Sequence, residues 1–350
     1  MFKIHNVANE VQGLTERYIP KKLHQRFFTG IEGLGLTGFR SLNANGRLLA
    51  QNRHTGESKV RRAVGDKRFP RLMLRAILKR YLPLAAIYGK GELRFSLDHS
   101  QFGSFYIAWI AVSIGKGRSL PVWCVMAPFH RGALLKPLMR GLAILLDELS
   151  QGQKKQVVLT MDRWFGIPDL LTWLDDQQLH FITRIKAGTP VGVPWREPRI
   201  TVPVREIGDE DCPVTYAGRE WQFIRSAWRE AMKEDEPWYL LTNIPENKQK
   251  GSRGHILNLY ADRFQIEEFF RDIKWVQGYE WERVKKAVTL QNTLLFASMG
   301  WWILLAVGKR LVRKARQQAC HPKKRLSWFR TVWEYWQKLR TRPIFATESQ

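Results

Sequence analysis

Two aspartates follow apolar stretches of the sequence, in a position that suits metal chemistry. Asp98 ends LRFSLD and Asp162 ends VVLTMD, and each stretch has the alternating or continuous apolar pattern of a β-strand. The polar residues HSQ follow Asp98, and Arg163 follows Asp162. Carboxylates at the ends of adjacent strands can share divalent cations, because Mg²⁺ takes oxygen ligands and keeps some of its waters for a substrate. The alternative is that each aspartate is an ordinary turn residue after a strand.

A second set of polar residues lies at helical spacing further along the chain. Tyr260, Arg263, Glu267 and Lys274 fall at offsets of 0, 3, 7 and 14 residues, in a stretch that predicts one helix from Ser252 to about Lys274. At about 100° per residue, these side chains share a stripe about 60° wide. A carboxylate beside two cations and a phenol suits a phosphodiester, with the carboxylate on a metal and the cations on phosphate oxygens. The alternative is a set of ion pairs on a solvated helix, since Arg263 and Glu267 are four residues apart.

The pattern Tyr-x2-Arg-x3-Glu-x6-Lys formed by these four residues resembles the signature of the DDE transposases of the insertion-sequence-four family. The similarity covers about residues 91–305. It implies a ribonuclease H-like core in which Asp98, Asp162 and Glu267 form the catalytic, metal-binding triad. Two Mg²⁺ ions, with Mn²⁺ as a substitute, would serve in-line displacement at phosphorus.

The resemblance also implies contacts to DNA. Arg263 and Lys274 would hold phosphates beside the scissile bond, and Tyr260 would hydrogen-bond one of them. The stretch PWYLLTN is similar to an element of the hairpin-forming members, in which a Trp stacks on a flipped base. Trp238 is therefore the candidate for base stacking, and an ordinary buried Trp is the alternative. Arg163, directly after the second aspartate, is a further candidate DNA contact.

The elements around these residues predict a mixed α/β fold. Predicted strands are 93–98, 104–114, 120–129, 156–162 and 180–185, and predicted helices are 135–149 and 166–178. This order indicates a mixed sheet with helices packed on it, as expected for the ribonuclease H-like core that the resemblance implies.

Changes in composition along the chain predict five regions. These are a basic N-terminal DNA-binding region (1–90), the first part of the catalytic core (91–188), a proline-punctuated β-rich insertion (189–245), the signature helix that completes the core (246–286) and a basic helical C-terminal region (287–350).

The charge of the chain is concentrated at its two ends. The 350 residues have a formal net charge of +25 and a pI of about 10.3. Residues 1–90 and 283–350 each have a net charge of +13, whereas the middle of the chain has −1. This distribution favours double-stranded DNA as the partner, with a general solubility charge as the alternative. Three basic residues of a helix predicted at 69–84 are candidate DNA contacts, although a solvated helix face explains them equally well: Arg71, Arg75 and Lys79.

Several other classes of protein are disfavoured. Three scattered cysteines without a C-x-x-C pair argue against a disulfide framework or a zinc knuckle. No secretory signal is visible, and the apolar stretch Leu294–Val307 is shorter than the roughly 20 residues that span a bilayer. It predicts a buried helix and no membrane partner. Residues 115–118 predict a hairpin turn, so no nucleotide cofactor is expected. His99, next to Asp98, is interpreted as a polar turn residue, with a metal ligand or acid–base group as the alternative.

These observations predict a bacterial cut-and-paste DNA transposase that works in the cytoplasm, associated with the nucleoid. Its substrates would be the terminal inverted repeats of its own element and a target DNA. The resemblance implies a hairpin intermediate and a homodimer in the synaptic complex. Two alternatives stay open: a catalytically inactive or domesticated relative that only binds DNA, and another ribonuclease H-like nuclease.

Overall fold

The computed structural model describes residues 4–36, 45, 49, 52–88, 92–113, 119–128, 130–194, 200–208, 211–226, 237–245, 252–271, 273 and 284–308. The strands are β1 (Leu93–Phe102), β2 (Phe105–Ser113), β3 (Ser119–Pro128), β4 (Val157–Met161), β5 (His180–Arg184), β6 (Pro190–Val193), β7 (Ile200–Pro203), β8 (Cys212–Tyr216), β9 (Arg219–Arg225) and β10 (Tyr239–Thr242). They form one sheet in the order β3-β2-β1-β4-β5-β10-β9-β8-β6-β7. The pairs β1–β4 and β4–β5 are parallel and the other pairs are antiparallel.

Helices pack against this sheet and against one another. They are α1 (Ile4–Tyr18), α2 (His24–Gly30), α3 (Arg53–Val64), α4 (Phe69–Tyr88), α5 (Leu135–Asp147), α6 (Gln151–Lys154), α7 (Pro168–Asp176), α8 (Arg253–Asp262), α9 (Gln265–Arg271) and α10 (Ala287–Gly308). A large mixed sheet flanked by helices confirms the predicted mixed α/β class and is consistent with the expected ribonuclease H-like fold.

The β-rich segment predicted at 189–245 continues the core sheet. Its last strand, β10, pairs with β5, so that Leu241 lies opposite Thr183. Strands β9, β8, β6 and β7 then extend the sheet outward from β10. The boundaries of the five regions stay predictions.

Strand β1 is longer than the sequence pattern predicts. We expected it to end at Asp98, but it continues to Phe102, so Asp98 lies in the middle of the strand. The reason is that β1 has two different neighbours. Its parallel pairing with β4 ends at Leu97, whereas its antiparallel hairpin with β2 continues to a turn at Gly103, where φ is 55°.

The helix predicted from Ser252 to about Lys274 is two helices. Helix α8 ends at Asp262 and α9 begins at Gln265. Between them the backbone bonds tighten to three-residue spacing, as in the bond from Arg263 N–H to Tyr260 O at 3.0 Å. The two helices cover different parts of the sheet: α8 packs over β4, β5 and β10, and α9 packs near β1 and β3. Lys274 lies outside the described residues.

Helix α10 runs through the core, as the sequence predicts for its apolar stretch. Leu294 and Trp302 are fully buried, and Trp302 Nε1 donates to Pro121 O at 2.8 Å. Helices α1, α2, α4 and α10 contribute to the same hydrophobic cluster as β1–β3. None of the described helices combines the length and the apolarity that crossing a bilayer requires. The predicted turn at 115–118 and residues 309–350 lie outside the described residues.

Candidate active site

Asp98 and Asp162 lie side by side because of the register of two parallel strands. Leu97 of β1 is paired with Met161 of β4, and each aspartate is the next residue in its chain segment. Asp98 is buried and Asp162 is half-buried. We expected these carboxylates at the ends of adjacent strands, and the structure brings them together.

His99 completes a three-residue cluster with the two aspartates. Among the described residues, one group of potential metal ligands has its ligand atoms within 4.8 Å of one another: Asp98, His99 and Asp162. Two carboxylates with one imidazole suit a divalent cation such as Mn²⁺ or Mg²⁺, since carboxylate oxygens are preferred ligands of both. The residues present therefore fit a metal at this point of the sheet.

The carboxylate of Asp98 is held by two donors. The backbone N–H of His99 donates to Asp98 Oδ1 at 2.7 Å, and Arg263 Nη1 donates to Asp98 Oδ2 at 2.9 Å. Burial raises the pKa of Asp98 to about 7, Arg263 opposes this rise, and the neighbouring carboxylate of Asp162 adds to it. The negative charge of Asp98 is therefore poorly stabilised in this site, and a bound cation would stabilise it.

Arg263 connects Asp98 to Glu267. It lies at the break between α8 and α9, and its side chain is only 4% exposed. While Nη1 contacts Asp98, Nη2 donates to Glu267 Oε1 at 3.3 Å. The guanidinium also lies over the rings of Phe264 and Tyr260, with centroid distances of 4.3 Å and 5.5 Å. Salt bridges and aromatic rings together fix its position.

Glu267 belongs to the site through Arg263. It lies in the first turn of α9, and its side chain is 54% exposed. Its carboxylate is not in the close group formed by Asp98, His99 and Asp162. Asp98 and Asp162 are therefore close enough to bind one metal ion together. Glu267 is linked to them through the guanidinium of Arg263.

Tyr260 and Trp238 lie beneath Arg263, away from the surface. Tyr260 is fully buried and Trp238 is 1% exposed. Their rings meet edge to face at 5.0 Å, and Trp238 stacks on Phe264 at 5.7 Å. Neither Tyr260 Oη nor Trp238 Nε1 has a hydrogen-bond partner among the described residues. Burial raises the pKa of Tyr260 to about 12. Phosphate binding by Tyr260 and base stacking by Trp238 both require these rings to become accessible, and both roles stay predictions.

His99 was wrongly interpreted as a turn residue, since it lies within β1. Its ring lies 5.2 Å from the ring of Trp164 and 5.9 Å from that of Phe165. Burial lowers the pKa of His99, and the nearby Arg131 lowers it further. Side chains of neighbouring strand residues point to opposite faces of a sheet, which argues against a shared site for His99 and Asp98. Its position next to an aspartate was the only available signal.

The other candidate DNA contacts lie at different places. Arg163 is exposed directly after Asp162. Arg75 binds the carboxylate of Glu148 through two bonds of 2.9 Å, and Arg71 reaches the same carboxylate at 3.3 Å. These two arginines thus join α4 to the end of α5, while Lys79 is exposed.

The fold is mixed α/β, consistent with a ribonuclease H-like fold, and Asp98 and Asp162 lie together where the pairing of two parallel strands ends. Residues 135–303 match the family model of the transposase DDE domain, a range that includes Asp162, Arg263 and Glu267. The match supports a DDE transposase, and such a domain implies DNA binding. A comparison with curated proteins found no significant match.

Proposed function

We propose that this protein is a cut-and-paste DNA transposase of the insertion-sequence-four family, acting on the terminal inverted repeats of its own element. The observation that carries this proposal is the adjacency of Asp98 and Asp162 at the end of the β1–β4 pairing. The match of residues 135–303 to the transposase DDE domain supports it.

In this proposal, Asp98, Asp162 and Glu267 would hold two divalent cations, Mg²⁺ or Mn²⁺. DDE transposases generally use divalent metals. When bound, such ions activate a water or a 3′-hydroxyl and stabilise the leaving oxygen during displacement at phosphorus. Asp98 and Asp162 provide the rigid part of the site, because both follow paired strand residues. Glu267 lies on a separate short helix, so its carboxylate adjusts its position more freely than the other two.

The DNA would be held by cations around this cluster. Arg163 is exposed beside Asp162. Arg263 and Lys274 of the signature are assigned to phosphates near the scissile bond, and Arg263, which is buried and bound to Asp98 and Glu267, must leave these carboxylates before it can bind a phosphate. The basic regions at 1–90 and 287–350 would hold the rest of the DNA, since phosphate neutralisation releases counterions. A homodimer would bring two transposon ends together, and a target DNA would receive them in the bacterial cytoplasm.

The test is cleavage of a duplex that carries the element's terminal repeat, identified as matched repeats flanking the coding sequence. We expect nicking at the repeat end that requires Mg²⁺ or Mn²⁺ and stops with a chelator. A duplex of scrambled repeat sequence is the control. Binding of the repeat without cutting under any metal condition would contradict the proposed activity and favour an inactive relative.

The hairpin step makes a separate prediction at Trp238. Replacement by Leu keeps an apolar side chain but removes the π face that would stack on a flipped base. Base–aromatic stacking is worth about 1–3 kcal/mol, so we expect hairpin product to fall about ten-fold or more while the first nick persists. Denaturing gels resolve the two products.

The matched control for Trp238→Leu is Trp221→Leu. Trp221 is also a buried Trp of the extended sheet, 3% exposed, but it packs on Phe181 rather than beside Arg263. Folded protein of this variant should keep both products. Equal hairpin yield from Trp238→Leu and the wild type would remove the stacking role.

A further inference from the structure

The guanidinium of Arg263 occupies the space between two carboxylates that the proposed function assigns to metal. Its Nη1 contacts Asp98 and its Nη2 contacts Glu267. The side chain is almost completely buried, and Phe264 and Tyr260 lie against it. The positive charge of Arg263 therefore lies between the carboxylates of Asp98 and Glu267.

Both oxygens of Asp98 are already engaged in this arrangement. Oδ1 accepts the backbone N–H of His99, and Oδ2 accepts the guanidinium of Arg263. A divalent cation that binds Asp98 and Glu267 must lie close to the same oxygens. It would be repelled by the guanidinium, because two cations a few Å apart in a buried site interact strongly.

We propose that Arg263 competes with metal ions for these carboxylates. Its guanidinium stabilises Asp98 and Glu267 when no metal is bound, and it must leave Asp98 when a divalent cation binds between Asp98 and Glu267. This inference rests on the proposed function, since it concerns the same site. Removal of Arg263 should therefore strengthen metal binding, which is the opposite of the effect expected for a residue that supports the metal site.

The chain offers a matched control in Arg94. Arg94 lies on the same strand as Asp98 and also joins two carboxylates, with bonds of 3.1 Å to Glu92 and 2.9 Å to Asp262. Neither carboxylate belongs to the cluster around Asp98. Arg94→Gln thus removes a comparable arginine, with a comparable loss of ion pairs, away from the proposed metal site.

The experiment is a titration of the protein, without DNA, with Mn²⁺ followed by electron paramagnetic resonance of the free ion. We expect Arg263→Gln to bind Mn²⁺ about ten-fold more tightly than the wild type, and Arg94→Gln to bind like the wild type. Unchanged or weaker binding by Arg263→Gln, with normal binding by the wild type, would overturn the competition alone. Absence of Mn²⁺ binding in the wild type and in Arg263→Gln would overturn both the competition and the proposed metal site.

A measurement on the wild type does not depend on how well the variant folds. Release of the guanidinium should loosen the turn between α8 and α9, so Mg²⁺ should increase hydrogen–deuterium exchange of residues 260–267. Exchange that is unchanged or slower in this segment at saturating Mg²⁺ would contradict the displacement of Arg263.

Discussion

Asp98→Asn and Asp162→Asn should each reduce DNA cleavage by at least about 10³-fold while leaving the affinity for the duplex within about two-fold. The amide keeps the size of the side chain but removes the negative charge that holds a divalent cation. A loss of this size corresponds to about 4 kcal/mol of transition-state stabilisation. Duplex binding depends on the basic side chains of the chain, so it should persist. Nicking rates and fluorescence anisotropy measure the two effects separately.

Asp262→Asn is the matched control for these variants. Asp262 ends α8, only one residue before Arg263, but its carboxylate binds Arg94 and Gln265 and is outside the cluster. We expect its cleavage rate to stay within about three-fold of the wild type. An Asp98→Asn or Asp162→Asn protein that kept more than a tenth of the wild-type rate would exclude that residue as a required metal ligand.

Gly300→Ala should lower the free energy of unfolding by about 2–3 kcal/mol, because it forces a side chain into backbone. Gly300 of α10 lies against Gly35, at the end of the helical turn Ile31–Gly35. A Cβ atom at Gly300 would overlap the carbonyl oxygen of Gly35, and a Cβ at Gly35 would meet Phe296 O of α10. Neither obstacle is a flexible side chain, so the two elements would have to separate. Urea denaturation followed by circular dichroism measures the loss.

Gly13→Ala distinguishes this close approach from a general effect of replacing glycine. Gly13 is exposed within α1, and no atom lies within 4 Å of a Cβ added there. Ala is the better helix former, so this change should stabilise the protein by about 0.5–1 kcal/mol. If both variants changed the stability in the same direction and by similar amounts, the contact between Gly300 and Gly35 would not explain the effect.

The apolar stretches before Asp98 and Asp162 predicted a strand before each aspartate, because strand period is a local signal. The neighbouring positions of these strands were implied by the family resemblance, and β1 and β4 are neighbours in the sheet. The end of β1 was predicted wrongly because its length depends on the hairpin with β2, which continues past the end of β4. Pairing with a second neighbour is a tertiary property that the local pattern does not contain.

The signature stripe was predicted less well, because the predicted helix is broken between Asp262 and Gln265. A continuous helix would place Tyr260, Arg263 and Glu267 on one polar face. The break at Arg263 instead turns Tyr260 into the core beside Trp238 and leaves Glu267 half-exposed. Helix periodicity holds only within one helix, and here α8 and α9 pack on different parts of the sheet. The salt bridges of Arg263 could not be read from spacing alone.

The most direct test of the central claim is anomalous diffraction from crystals of the protein soaked with Mn²⁺. We predict a Mn²⁺ peak in contact with carboxylate oxygens of both Asp98 and Asp162, at a point that the Asp162→Asn variant no longer occupies. Mn²⁺ bound elsewhere, or bound without either aspartate in a protein that cleaves DNA, would contradict the assignment of these two residues as the catalytic metal ligands.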